Sequence, residues 1–363
     1  MATPILQFGT SRFLQAHADL FVDEALRSGG ALGRITVVQT TGAVERAGRL
    51  TALAAPGGYP VIIRGRKDGR DIERQQQVES IARALSTASD WDAVLQVFRD
   101  EAAVIISNTG DTGYRVEADD LRDAVPASFP GKLLALLQAR FSANGRPLTI
   151  LPCELVSRNG DVLKRIVLEL QADRYPDSAF RDWLANTVIW ANTLVDRIVS
   201  EPLEPAGAIA EPYALWAIEA QPGLTLPCRH PDMVLVDDLT PFEKLKLHIL
   251  NLGHTVLADI WMRESRPADE TVKAILADAA VRAWLLSLYR DEVVPGFAAH
   301  RLGAEAEAYV AATLERFDNP FLAHRLRDIA NHHAEKRARR IGDFLAWSPS
   351  VPMPGLAAIA CGQ

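Results

Sequence analysis

The run Lys246-Leu-His-Ile-Leu-Asn251-Leu-Gly-His254 sets a lysine, an asparagine and a histidine into an otherwise apolar stretch. At about 100° per helical residue, Asn251 falls roughly 140° and His254 roughly 80° around from Lys246, so the three share one broad side of a helix. The apolar neighbours Leu245, Ile249, Leu250 and Leu252 predict that this helix is largely buried. A buried lysine is costly unless it is paired or its pKa falls, and a lysine with a depressed pKa accepts protons near neutral pH. A carboxamide donates well to an oxygen on which negative charge develops. Spacing alone leaves an ordinary alternative open: a snorkelling lysine, a helix asparagine and a core histidine.

Other chemistries find less support. The eight histidines include one adjacent pair, His332–His333, but no HExxH, and no Cys/His cluster has ligand spacing, so no metal site is expected. No tyrosine is followed four residues later by lysine, which removes the tyrosine–lysine pair of short-chain dehydrogenases. Cys153, Cys228 and Cys361 are too few and too scattered for a disulfide framework, and a reducing cytoplasmic location fits them. A net charge of −7 argues against a nucleic-acid or anionic-membrane partner. The N-terminus lacks the charged and apolar regions of a signal peptide, and no apolar run is long enough to span a bilayer.

Such side chains need a scaffold, and 363 residues make two domains the natural prior. The first half alternates strand and helix. Pro4–Phe8 reads as a strand, Gly9–Arg12 as a tight turn, Phe13–Arg27 as an amphipathic helix and Arg34–Thr40 as a β-branched strand. Tyr59–Arg64 and Asp71–Gln77 flank Lys67-Asp-Gly69, a hairpin signal. Helices are expected at Trp91–Asp100 and Pro130–Phe141, and buried strands at Ala102–Ser107 and Leu148–Leu151. The pattern predicts an α/β fold with an N-terminal Rossmann-like, doubly wound sheet. From Thr240 onward it turns helical: Pro241–Met262, Ala268–Leu276, Asp278–Tyr289, Ala304–Glu315 and Asn319–Phe344, then an irregular tail after Trp347. The expected domains are 1–238, Rossmann-like and dinucleotide-binding, and 239–363, all-helical and bearing the substrate and catalytic residues.

A dinucleotide pyrophosphate would rest at the first strand–helix turn, which makes Phe8, Gly9, Thr10, Ser11, Arg12 and Phe13 candidate cofactor residues. The glycine fingerprint is degraded, with Ser11 and Leu14 at its second and third positions, and an ordinary strand–turn–helix corner is the alternative. Gln39, at the end of the second strand, could bond a ribose. Asn108 and Thr109 end the apolar strand where such sheets reach a nicotinamide, although a simple strand-end turn fits them as well.

Several segments together resemble one family. Ile5-Leu-Gln-Phe-Gly followed by Phe13-Leu, the segment Pro152-Cys-Glu-Leu-Val-Ser-Arg-Asn159-Gly-Asp, Asn192-Thr-Leu-Val-Asp196-Arg197-Ile-Val, and Lys246-x4-Asn251-x2-His254 are similar to motifs of the polyol-specific long-chain dehydrogenases, the mannitol dehydrogenase family. Arg316-Phe-x-Asn319-Pro320-Phe-x2-His324-x-Leu and the Lys336 segment resemble its uronate-reducing branch. The resemblance covers nearly the whole chain, with departures at Ser11, where glycine is usual, and at His332–His333. It implies a metal-independent, NAD-dependent oxidoreductase acting on an alcohol of a sugar acid, altronate/tagaturonate-like. It implies Lys246 as general acid/base and Asn159 and Asn251 as an oxyanion hole. His254 would orient the lysine or bind a neighbouring hydroxyl, and would lower the lysine pKa as a partial cation. Asp196, His333 and Lys336 are the implied substrate residues, with Lys336 on a carboxylate. For Asp196 an ion pair with Arg197 is the alternative, and for Lys336 a solvated helix face. Two other readings stay open: a neutral-polyol dehydrogenase of mannitol or arabinitol type, and an inactive nucleotide-binding regulatory protein.

Overall fold

Every residue of Ile5–Phe8, Ile35–Gln39, Val104–Ser107 and Thr149–Pro152 is buried. Unbroken runs of this kind suit a parallel sheet covered on both faces. The computed structural model, which describes residues 2–41, 47–110 and 113–362, places them in such a sheet. Its spatial order is Ile81–Ser86, Ile35–Gln39, Ile5–Phe8, Val104–Ser107, Thr149–Pro152, Ile189–Trp190, with every pairing parallel. Numbered along the chain this is 3-2-1-4-5-6, the dinucleotide-binding order, and the winding reverses at Ile5–Phe8. There Ile5 pairs with Ile35 on one side and Val104 on the other. Helices Trp91–Asp100, Phe129–Ala143, Asn159–Arg174 and Ser178–Asn186 supply Phe98, Leu133, Leu137, Leu163 and Phe180 to the core on this sheet. A smaller sheet orders Met233–Val236, Leu215–Glu219 and Thr193–Asp196. The expected Rossmann-like sheet followed by a helical region is what forms.

The chain divides into two compact units, one drawn from residues 1–62, 74–210 and 214–239, the other from 63–73, 211–213 and 240–363. The second unit thus includes the tip of the expected hairpin, whose strands run Tyr59–Lys67 and Arg70–Val78. Its turn residues Asp68 and Gly69 both have positive φ, 53° and 72°, as a tight hairpin turn requires. Glu315 accepts from the Gly69 N–H at 2.7 Å, which fastens the tip to helix Gly303–Phe317. Ile249, Leu252, Val256, Leu285, Phe297 and Phe344 belong to the core of this unit.

Three expectations about helices are corrected. Phe13–Arg27 is two helices, Arg12–Gln15 and Ala18–Ser28. The Ala16 carbonyl, which a continuous helix would offer to residue 20, accepts from Arg197 Nη1 at 2.7 Å instead. Asn319–Phe344 is not one helix. Leu326–Ile329 stands apart, and His332, at φ 55°, breaks the chain before His333. The tail is not irregular, because Pro354–Ala360 is a helix that buries Leu356 and Ile359. Its first N–H groups, Gly355 and Leu356, donate to the Glu292 carboxylate at 2.8 and 2.9 Å. That cap comes from a distant residue, so no local pattern announces it.

A buried carboxylate on Ala18–Ser28 gives the first unit a pH-dependent stability. Asp19 accepts from the Tyr59 hydroxyl at 2.8 Å, and burial, partly offset by that bond and by Gln7, raises its pKa to about 7. A folded-state pKa above the unfolded value favours folding below about pH 4, and that contribution is lost as pH rises toward 7. The loss amounts to about 4 kcal/mol at full extent. Asp19→Asn is therefore expected to flatten the decline in urea midpoint between pH 4 and 7 and to exceed wild type at pH 8. Equal slopes for the two proteins would refute the assignment.

Candidate active site

The lysine-bearing segment is not a plain α-helix. Thr240–Leu245 and Asn251–Arg263 are α-helical, and Lys246–Leu250 between them forms a π turn. The Asn251 N–H is shared between the Leu247 carbonyl, four residues back, and the Lys246 carbonyl, five residues back. Residues joined by the second of these bonds stand one above the other along the axis, whereas an α-helix would separate them by about 140°. The expected broad spread is therefore corrected to a narrow stripe. Lys246 and Asn251 share it, and His254, three residues further, continues it.

Lys246 and Asn251 are half-buried. The Asn251 main-chain carbonyl accepts from Thr255 Oγ1 at 3.0 Å and Arg340 Nη1 at 3.3 Å, while its carboxamide is uncommitted among the described residues. His254 is buried against Phe317 and edge-on to His324, each at 4.7 Å between ring centroids. Its Nε2 has no hydrogen-bond partner among the described residues. Burial holds its pKa well below the ordinary histidine value, and the nearby His324, Arg340, Arg316 and Lys336 reinforce this. The expected partial cation is thus a neutral imidazole, which can bind a hydroxyl but adds no positive charge beside the lysine.

Lys336 donates to the Ile329 carbonyl at 2.8 Å, and burial, then Arg340, lowers its pKa. Neither Lys336 nor Arg340 meets a carboxylate among the described residues. His333 differs: its Nε2 lies 3.2 Å from Asp259 Oδ1, with Arg263 Nε 3.0 Å from the other oxygen. A substrate contact from His333 is left with Nδ1 alone.

Two groups carried no role in the sequence reading. Arg316 and Glu211 form a two-pronged buried ion pair at 2.8 and 3.0 Å, with the guanidinium 4.3 Å from the Tyr213 ring centre. The Arg316–Asn319–Pro320–His324 motif was the available signal for both Arg316 and His324. Glu211 had none, because it reaches the helical unit from a three-residue segment.

In the first unit, Gly9 has φ 113°, and a Cβ there would lie 2.4 Å from the Asn108 carbonyl oxygen. Only glycine keeps this turn at the switch point of the sheet. Ser11 Oγ accepts from the Leu14 N–H and donates to Asn108 Oδ1 at 3.1 Å, and Asn108 Nδ2 donates to the Cys153 carbonyl at 2.8 Å. Adjacent strand ends are thereby locked together. Most of the candidate cofactor side chains have partners or packing within the chain. The Phe8 ring is core, 5.3 Å from Phe129, and leaves only main chain at the turn. The Ser11 hydroxyl serves as a helix cap, Thr10 is buried, and Phe13 stacks on His17. Arg12 Nη1 is 3.3 Å from the Ser200 carbonyl. Gln39 Nε2 donates to the Thr41 carbonyl. Thr109 gives both its N–H and its hydroxyl to Glu154, a carboxylate that Ser107 and Tyr114 also bond and whose pKa burial raises. A turn that opens on Gly9 at the switch point of a 3-2-1-4-5-6 sheet fits a dinucleotide.

Asn159 is the clearest correction. It is fully buried at the start of Asn159–Arg174. Its amide donates to the carbonyls of Pro152, Glu154 and Thr193 at 3.0, 3.2 and 3.0 Å, and its Oδ1 accepts from the Gly160 and Thr193 N–H groups. No donor is left for an oxyanion. Asp196 ends its strand buried, beside Arg197. Among the described residues no three His, Cys, Asp or Glu side chains converge as metal ligands, and no helix is long and apolar enough to cross a membrane.

Sheet order, glycine turn and helical unit together define a Rossmann-type dinucleotide-binding fold with an α-helical C-terminal region. The chain belongs to the mannitol dehydrogenase family: residues 3–225 match the mannitol dehydrogenase Rossmann domain and 238–348 the mannitol dehydrogenase C-terminal domain. It is 31% identical to the altronate oxidoreductase of Halalkalibacterium halodurans, over 96% of this chain and 72% of that one. With the altronate oxidoreductase of Bacillus subtilis it shares 31% identity over 90% and 71%. Among solved structures, the fold is similar to D-sorbitol dehydrogenase in substrate-free form, with TM-score 0.80 and 21% identity over 95% of this chain and 76% of that one. It is also similar to Pseudomonas fluorescens mannitol 2-dehydrogenase in ternary complex with NAD and D-mannitol, with TM-score 0.77 and 19% identity over 100% and 78%.

Proposed function

We propose that this chain is a metal-independent, NAD(H)-dependent oxidoreductase that interconverts the secondary alcohol and ketone of a sugar acid of altronate/tagaturonate type. The π turn that aligns Lys246 with the uncommitted Asn251 carboxamide carries this reading. When bound, the nicotinamide supplies the hydride acceptor. Lys246, as the amine, takes the hydroxyl proton during oxidation, and as the ammonium returns it to the carbonyl oxygen during reduction. Asn251 donates to that oxygen as its negative charge grows. The free Nε2 of neutral His254 bonds an adjacent hydroxyl and fixes the carbon chain. The Gly9 turn and the strand ends at Gln39 and Asn108–Thr109 hold the dinucleotide. Asp196 takes a further substrate hydroxyl.

The choice of an acid over a neutral polyol rests on Lys336 and Arg340, two half-buried cations without a carboxylate partner among the described residues. The names of the relatives agree with it. Wild type is expected to reduce NAD faster with D-altronate than with D-mannitol. Lys336→Met should raise KM for altronate by about 10- to 100-fold, the worth of a charge-assisted hydrogen bond, and leave mannitol kinetics unchanged. Equal effects on the two substrates would move the assignment to a neutral polyol.

A further inference from the structure

The helical unit contains two more π turns among its described residues, Tyr289–Val293 and Ala338–Gly342, and both reach the lysine-bearing turn through side chains or carbonyls. The Tyr289 hydroxyl donates to the Ile249 carbonyl at 2.9 Å. The His248 Nδ1 pairs with the Arg340 carbonyl at 2.9 Å, and the Arg340 guanidinium bonds the Asn251 carbonyl and Thr255 Oγ1. A π turn departs from the regular α ladder and persists where its surroundings favour it over the α register. Here the competing α register would turn Lys246 about 140° away from Asn251.

We infer that Tyr289 is a positioning residue for the reaction: its hydroxyl, bonded to the Ile249 carbonyl, holds the π turn that sets Lys246 and Asn251 in one stripe. The hydroxyl reaches that carbonyl because residue 253 has no side chain. A Cβ on Gly253 would lie 2.0 Å from Tyr289 Oη. This accounts for a glycine inside a buried helix, where alanine is otherwise preferred. Tyr289 is itself buried, and burial pushes its phenol well above the ordinary value, so it stays a donor at working pH. The inference rests on the proposed roles of Lys246 and Asn251.

Tyr289→Phe in the full chain keeps the ring and removes only the donor. The expected result is a fall in kcat of between tenfold and a hundredfold, the range a small misplacement of reacting groups produces. KM for NAD and the NADH dissociation constant should stay within twofold of wild type. Amide hydrogen exchange across 246–255 should quicken. Gly253→Ala should lower both kcat and Tm. In the Gly253→Ala/Tyr289→Phe double variant the oxygen that collides is gone, so Tm should recover in part while kcat stays low. Activity is read with NAD and whichever of D-altronate or D-mannitol the wild type oxidises faster. Wild-type kcat in Tyr289→Phe, or unchanged exchange across 246–255, overturns the inference while leaving the lysine mechanism intact. A wild type that oxidises neither substrate, or a Lys246→Ala variant that keeps its activity, defeats the underlying reading, and this inference with it.

Discussion

Replacing Lys246 by alanine or methionine is expected to lower kcat with NAD and D-altronate by about 10²- to 10⁴-fold, the usual contribution of a positioned general acid or base. Methionine is the sharper test. It keeps most of the aliphatic stem of a half-buried side chain and removes only the amine. Thermal stability and NADH affinity should therefore stay near wild type in the methionine variant while turnover collapses. The two activities of the amine, accepting in one direction and donating in the other, require equal losses in oxidation and reduction. A rise in KM with kcat unchanged would place Lys246 in substrate binding rather than proton transfer. Neutral His254 sharpens the expectation further. With its imidazole held uncharged by burial, it is no substitute acid near neutral pH.

How much of this was legible in the sequence differs from one element to the next, for physical reasons. The parallel sheet was visible because its strands are buried on both faces and read as continuous apolar runs, such as Val104–Ser107. The hairpin was visible because Asp68-Gly69 is a turn in its own chemistry. Lys246, Asn251 and His254 were visible as polar residues in an apolar run, but their alignment was not. A π turn leaves hydrophobic periodicity nearly intact, and the groups bonded to this one, Tyr289 and Arg340, lie 40 and 89 residues away. The same holds for the break at His17, which Arg197 helps to set, and for the C-terminal helix, which Glu292 caps. Local patterns report burial. They do not report which distant polar group satisfies a backbone carbonyl or N–H.

Asn159 is the case in which that distinction has the largest consequence. A side chain read as a donor to substrate turns out to join three main-chain segments, and the two roles predict opposite phenotypes. As an oxyanion donor, Asn159→Ala would lose about 100-fold or more in kcat with little change in stability. As the hub observed here, the same change strands the buried Gly160 and Thr193 N–H groups and takes a donor from the Pro152, Glu154 and Thr193 carbonyls. Each orphaned buried group costs about 1–3 kcal/mol, so a loss of about 3 kcal/mol or more is expected, on the order of 6–12 °C in Tm. Asn159→Asp should be worse than alanine. A carboxylate can still accept the two N–H groups, but it points its remaining oxygen at three carbonyls, with no proton to offer them at neutral pH. The neighbouring glycine tightens the constraint, because a Cβ on Gly160 would lie 2.4 Å from the Ala191 carbonyl oxygen and leaves the helix start little room to shift. Melting curves alongside kcat measured well below the transition separate the two accounts. An alanine variant that melts like wild type yet turns over a hundredfold more slowly would return Asn159 to the chemistry and show that its amide leaves these carbonyls when substrate arrives.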